Sequence, residues 1–146
     1  MSSYLNFYIV PRKREGAEEE PKPLCLMSYS RNSPVYQHYS EIINPVFIGN
    51  DDEYKYTELT LNDVDRVVNS VKEDLENVKK RFDLRVSAYK ELGKDVDNDA
   101  IDDFTSTKEY IQELEDEIKE LQFIANIIHD IFSNYTDFEK VYVNVD

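Results

Sequence analysis

The chain has 146 residues and a formal net charge of −14, with 31 acidic against 17 basic side chains; 40% of its residues are hydrophobic and 12% aromatic. That is the length of one domain with enough apolar material for a core, which excludes global disorder. The acidity argues against direct DNA or RNA binding, which needs Lys and Arg to neutralise phosphates. Three glycines and one cysteine argue against a glycine-rich phosphate loop and exclude an internal disulfide.

Residues 4–10 alternate, with Leu5, Phe7 and Ile9 on one face and Tyr4, Asn6, Tyr8 and Val10 on the other. This period of two predicts a strand ended by Pro11. Residues 12–23 read as a polar loop, carrying Arg12-Lys13-Arg14 and then Glu18-Glu19-Glu20. A second strand at about 24–30 is expected to pair antiparallel with the first. Within it, Cys25 is flanked by Leu24, Leu26 and Met27, so a buried, inert thiol is expected.

Ser33-Pro34 supplies an N-cap and a first-turn proline for a short helix to about Asn44, before Pro45 forces an exit. Residues 45–58 carry no pattern and are read as irregular.

The strongest signal starts at Thr60, which with Asp63 resembles a capping box. Leu61, Val64, Val68, Val71, Leu75, Val78, Phe82, Tyr89 and Leu92 follow at 3-4 spacing, interrupted only by Arg85 and stopped by Gly93. A second long helix is predicted from about Thr105 to Asn134, striped by Ile111, Leu114, Ile118, Leu121, Ala125, Ile128, Phe132 and Tyr135. The short connection makes the two antiparallel neighbours. In heptad register, one flank should pair Val67 with Ile131, Asp74 with Ile124, Arg81 with Glu117 and Ala88 with Tyr110, three of the four apolar or oppositely charged, while Lys79 and Glu115 meet on the other. The stripes are widest at the start of the first helix and the end of the second. That end should therefore meet a further layer, leaving the other end with only its partner helix. A last strand, 138–145, alternates Val141, Val143 and Val145 against Tyr142 and Asn144 and is expected to join the N-terminal strand.

The predicted class is α+β. A small antiparallel sheet of about three strands, with N- and C-terminal strands paired, and a short helix form a head (1–60 and 136–146). A coiled-coil-like helical hairpin (61–135, with an acidic loop at 93–104) protrudes from it, all within a single domain over 1–146. No segment has the 18 or so apolar residues needed to span a bilayer, and no signal peptide is read, so a cytoplasmic location without membrane contact is expected.

For chemistry, Asp95, Asp97 and Asp99 alternate like the first oxygens of a calcium loop, but Ala100 stands where the glycine and Ser106 where the bidentate glutamate would be. The plainer reading is a solvated hairpin tip that places carboxylates at the next helix's N-terminus. His38 and His129 lie in separate helices, without metal-ligand spacing. No nucleophile elbow or catalytic spacing is present. No catalytic residue, cofactor or metal is assigned.

Two features suit binding. Nine aromatics precede residue 57, including Tyr29, Tyr36, Tyr54 and Tyr56, which with Arg31 are candidate partner contacts. The second is acidic: residues 95–120 hold 11 acidic and 2 basic side chains, giving Asp102, Asp103, Glu109, Glu113, Asp116 and Glu120 as candidates for a basic partner. The expected function is a non-enzymatic protein–protein interaction module, an inhibitor or adaptor of the kind found in phages and mobile elements. One alternative is an oligomeric scaffold subunit assembling through the hairpin, where Leu84, Val86 and Phe123 lie off the main stripe. The other is an acidic DNA mimic, which suffers from a charge density of roughly one acid per 4 Å, against one charge per 1.7 Å of duplex axis.

Overall fold

A computed structural model describes residues 3–49, 55–94 and 101–146, with backbone alone at 101–103. Its class is α+β, as the patterning predicts. The described elements run β1 (Tyr4–Pro11), β2 (Leu24–Ser30), α1 (Pro34–Ile42), β3 (Thr57–Leu59), α2 (Leu61–Glu91), α3 (Ile101–Asn134) and β4 (Phe138–Val145). The sheet order is β2-β1-β4-β3, with all neighbours antiparallel.

The two chain-distant strands form the centre. Leu5, Phe7 and Ile9 of β1 face Val145, Val143 and Val141 of β4 across the ladder. Their side chains share the face covered by the helices, where Leu5, Phe7, Val141 and Val143 are fully buried. β2 adds Met27 and Tyr29 to that face, with a bulge that leaves Leu26 without an opposite residue.

The sheet has four strands rather than three. Thr57, Glu58 and Leu59 pair with Val143, Tyr142 and Val141 in a stretch that reads as irregular from sequence. Three residues are too few to display a period of two. The strand exists because β4 offers an open edge and because Leu59, 1% exposed, has the core to enter.

The helix starts are chemically determined. The Ser33 side chain accepts from the Val35 backbone N–H, and Pro34 occupies the first turn. α1 ends where Asn44 takes a positive φ of 54° and its N–H returns to the Tyr39 carbonyl, just before Pro45. Thr60 and Asp63 form a full capping box at the start of α2, at 3.1 and 2.9 Å. Gly93, at φ 70°, follows the other end of α2.

α2 and α3 pack as the expected antiparallel hairpin. Two polar contacts mark its register: a hydrogen bond between Asp65 and His129 at 2.8 Å, and an ion pair of Lys79 with Glu115 at 3.3 Å, two heptads on along α2 and two back along α3. The wide ends of both stripes are buried under the head: Val64, Val67, Val68 and Val71 on α2, and Leu121, Ile124, Ala125 and Ile128 on α3. Fully burying each such side chain contributes roughly 1.5–3 kcal/mol. Among the described residues, no helix is long and apolar enough to cross a membrane.

Three expectations are corrected. Helix α3 begins at Ile101, so residues 101–104 of the expected loop are helical. Cys25 is exposed, because β2 is an edge strand and Cys25 points to the face away from the helices. Glu117 does not pair with Arg81. Helix α1 lies against α3 there, and His38 Nε2 takes Glu117 Oε2 at 2.9 Å.

Tyr39 sits where α1, β1 and the start of α2 converge, fully buried and edge-on to Phe7 at 5.1 Å. Among the described residues its hydroxyl has no hydrogen-bond partner. Burial, then Tyr29 and the carboxylates of Asp63 and Asp65, pushes its pKa up. The folded protein therefore holds Tyr39 neutral, while the unfolded chain ionises it near its ordinary value of about 10. Its contribution is fully present below about pH 10 and is lost as pH rises through the folded-state pKa. Tyr39→Phe should be neutral or mildly stabilising at pH 7, by up to about 1 kcal/mol, because it removes an unpaired buried hydroxyl. It should also blunt the loss of stability above pH 10. Urea midpoints at pH 7 and 10.5 for both proteins measure this; a loss of more than about 1 kcal/mol at pH 7 would contradict it.

Candidate interaction surface on the helical arm

Beyond the head, α2 loses its aliphatic width. Val78 is its last buried residue, followed by half-buried Phe82 and, at the core position that breaks the stripe, Arg85. The break is filled from the other helix. Phe104 of α3 is buried at 2% exposure and meets Phe82 and Tyr89 edge-on, at 5.4 and 5.2 Å. The Arg85 guanidinium lies over the Phe104 ring, 5.2 Å from its centroid. A cation at a core position is thus accommodated by an aromatic face.

Beside this aromatic plug the helices part into a cleft of about 410 Å³, lined by Val78, Arg81, Phe82, Arg85, Ser106, Thr107 and Tyr110. Arg81 Nε donates to the Asn77 carbonyl at 3.4 Å, and among the described residues no carboxylate pairs with its guanidinium. Tyr110 is half exposed, and Leu84, one turn on from Arg81, is 70% exposed.

Heptad position explains why the cleft opens where it does. Arg81 and Tyr110 share a flank of the hairpin with Val67, Glu117, Ile124 and Ile131. Nearer the head much of that flank is covered: Val67 and Ile124 are fully buried, Ile131 nearly so, and Glu117 meets His38 of α1, though Asp74 stays exposed. Tyr110 lies one heptad beyond Glu117, past that cover. The charge also segregates along the arm. Between residues 79 and 94, Lys79, Lys80, Arg81, Arg85, Lys90 and Lys94 outnumber Asp83 and Glu91, whereas α3 is acidic.

No protein family, curated protein or solved structure matches the chain. The surface is therefore judged on its own chemistry.

The candidates read from sequence fall in three places. Tyr29 is half-buried on the helix-covered face, edge-on to Phe7 at 5.9 Å, and its pKa is raised by burial and by Glu120 nearby. The Tyr36 hydroxyl is bonded to Ser3 Oγ at 2.9 Å. Tyr56 stacks on Tyr142 at 5.3 Å and meets Tyr8 edge-on at 5.1 Å, on the opposite face of the sheet. Arg31 is exposed next to β2. These aromatics mostly serve the head's own packing. Glu109, Glu113 and Asp116 are exposed on α3, Asp116 accepting from Gln112 at 3.1 Å, while Glu120 is half-buried beside the head. Asp95, Asp97, Asp99 and Tyr54 lie outside the described residues, as do the side chains of Asp102 and Asp103. Among the described residues no cluster of three metal-ligating side chains occurs.

Sequence reasoning missed the polar network on the open face of the sheet. Asn144 is fully buried, donating to the Lys55 carbonyl at 3.1 Å and accepting from Asn6 at 3.2 Å, and Ser28 donates to Asn6 at 2.8 Å. The signal was Asn at matching outer positions of two strands that must pair. It also missed the cleft, whose partners Arg81 and Ser106 look like ordinary solvated positions until the helices are aligned.

Proposed function

We propose that this chain is a non-enzymatic protein–protein interaction module, an inhibitor or adaptor, whose helical arm engages the partner. The observation that carries this reading is the set of large apolar side chains turned outward on the arm: Leu84 and Leu92 at 70% and 76% exposure, and Tyr110 at 48% beside the cleft. The head absorbs most of its own aromatics, so its sequence richness in tyrosine supports binding less than the arm does. Large apolar side chains left exposed beside a cleft suit a contact surface.

The test is retention of a partner from native host extract on immobilised protein. A partner held by the wild-type chain should be lost at least tenfold by the double substitution Leu84→Glu with Tyr110→Glu, and kept by Tyr4→Ser on the head. Retention indifferent to the arm substitutions, or no retained partner, would overturn the reading.

One observation favours self-assembly as a second reading: Phe123, 61% exposed, stands on the outer side of α3, away from α2. Sedimentation at tens of micromolar decides it, and a strict monomer removes it. The DNA-mimic reading is weakened by internal neutralisation, since Lys79 answers Glu115.

A further inference from the structure

We infer that the open stretch of the Arg81/Tyr110 flank receives one amphipathic helix of a partner protein, with an acidic side chain of that helix pairing with Arg81. Resting on the interaction-module reading, this gives that module a place and a partner chemistry.

The shape argument comes from the molecule's own use of this flank. Where the hairpin meets the head, α1 already lies against it, inserting buried Val35 and Tyr39 into the core and setting His38 against Glu117. A helix is thus the element that this flank accepts. Past Glu117 the flank keeps apolar and polar side chains together, and among the described residues it opens there into the cleft. Val78 and Phe82 form an apolar floor, Tyr110 forms a wall, and the volume of about 410 Å³ suits a few inserted side chains. Apolar anchors at i, i+3 or i+4 and i+7 of a docked helix would fill it.

The charge argument fixes the partner's chemistry. In a chain of net charge −14, the cleft presents the Arg81 guanidinium, which no described carboxylate neutralises, with Lys80 next to it in sequence. A guanidinium takes a carboxylate through paired N–H···O bonds, the stronger class of hydrogen bond. At physiological ionic strength, charges beyond about 8 Å are largely screened, so the groups at the cleft govern the contact: Arg81 and Lys80, with Asp83, Glu109 and Glu113 near Arg81 and Tyr110 in sequence. Ser106 and Thr107 add hydroxyls on the facing wall.

The test pans a display library of helical peptides, randomised on one face, against the whole chain. Enriched peptides should combine the i, i+3/i+4, i+7 apolar pattern with Asp or Glu. Arg81→Gln and Tyr110→Ala should each weaken them at least tenfold. Arg81→Lys should weaken them only a few-fold, and Phe123→Ser should leave them unchanged. All three positions are largely solvent-facing, and thermal melts by circular dichroism verify that the variants fold. Enrichment of basic peptides, or affinity indifferent to Arg81→Gln, overturns the site while leaving the interaction-module reading intact. Self-association of the wild-type chain that Arg81→Gln abolishes also overturns it, by making a second copy the occupant. If no peptide binds and the host extract yields no arm-dependent partner, both readings fail.

Discussion

Phe7→Ala is expected to destabilise the protein by about 3–5 kcal/mol, the usual cost of emptying a buried aromatic site. Phe7 is fully buried at the centre of β1, between Met27 of β2 and Val143 of β4. Its ring meets Tyr29 and Tyr39 edge-on at 5.9 and 5.1 Å, joining the sheet to α1. Truncation therefore removes apolar burial and two aromatic contacts, and it leaves a cavity where three elements meet. Against a typical total of about 5–15 kcal/mol, the loss is a large fraction of all stability. For a chain of this length it corresponds to a fall in Tm of about 10 °C or more. Phe47→Ala is the control: that ring is 65% exposed, so its truncation should cost under about 1 kcal/mol. Urea unfolding of the three proteins measures both. A Phe7→Ala loss below about 1.5 kcal/mol would mean that the head core collapses around the vacancy instead of holding its shape.

The same residue illustrates what patterning reveals. Leu5-Phe7-Ile9 and Val141-Val143-Val145 announce half-buried strands because a period of two survives in any window that contains them. The hairpin is equally plain, since 3-4 spacing over more than four heptads has no competing explanation. Even register was readable on one flank, where Lys79 and Glu115 meet as charge matching predicts. One pair on the other flank, Arg81 with Glu117, failed because charge matching within two helices ignores a third. His38 arrives from α1 and takes Glu117, a contact 79 residues apart in sequence. β3 was illegible for the same reason: Thr57–Leu59 becomes a strand only through its neighbour β4. The thiol of Cys25 was misjudged because apolar sequence neighbours say nothing about which strand forms the edge. At the candidate site, several tyrosines before residue 57 that read as contact residues are half-buried and take partners within the head, as Tyr29, Tyr36 and Tyr56 do. The cleft needs Arg81 and Tyr110 aligned across two helices, and no local window holds both.

Phe104→Ala should separate arm from head. The residue was hidden among aspartates and threonines that favour a loop, but it is the distal arm's main buried aromatic, sealing Phe82 and Tyr89 and carrying Arg85 on its face. Outside these contacts and Val78 with Leu114, the described residues of the distal arm include few buried ones, whereas the proximal half is held by the whole head core. The loss, about 3 kcal/mol for the aromatic site with about 0.5–1 kcal/mol more for the cation–π contact, should therefore fall on local opening and not on global unfolding. Hydrogen exchange should show amides around 82–92 and 104–110 losing protection by two orders of magnitude or more, while β1, β4 and the proximal helices change little. Equal loss across head and arm would show that the two open as one cooperative unit. The distinction bears on binding, because a partner docked at Arg81 and Tyr110 must order the arm it binds. If local opening is populated in Phe104→Ala, affinity falls by the fraction of arms left closed, even though the substituted side chain lies in the plug beside the cleft and outside its lining.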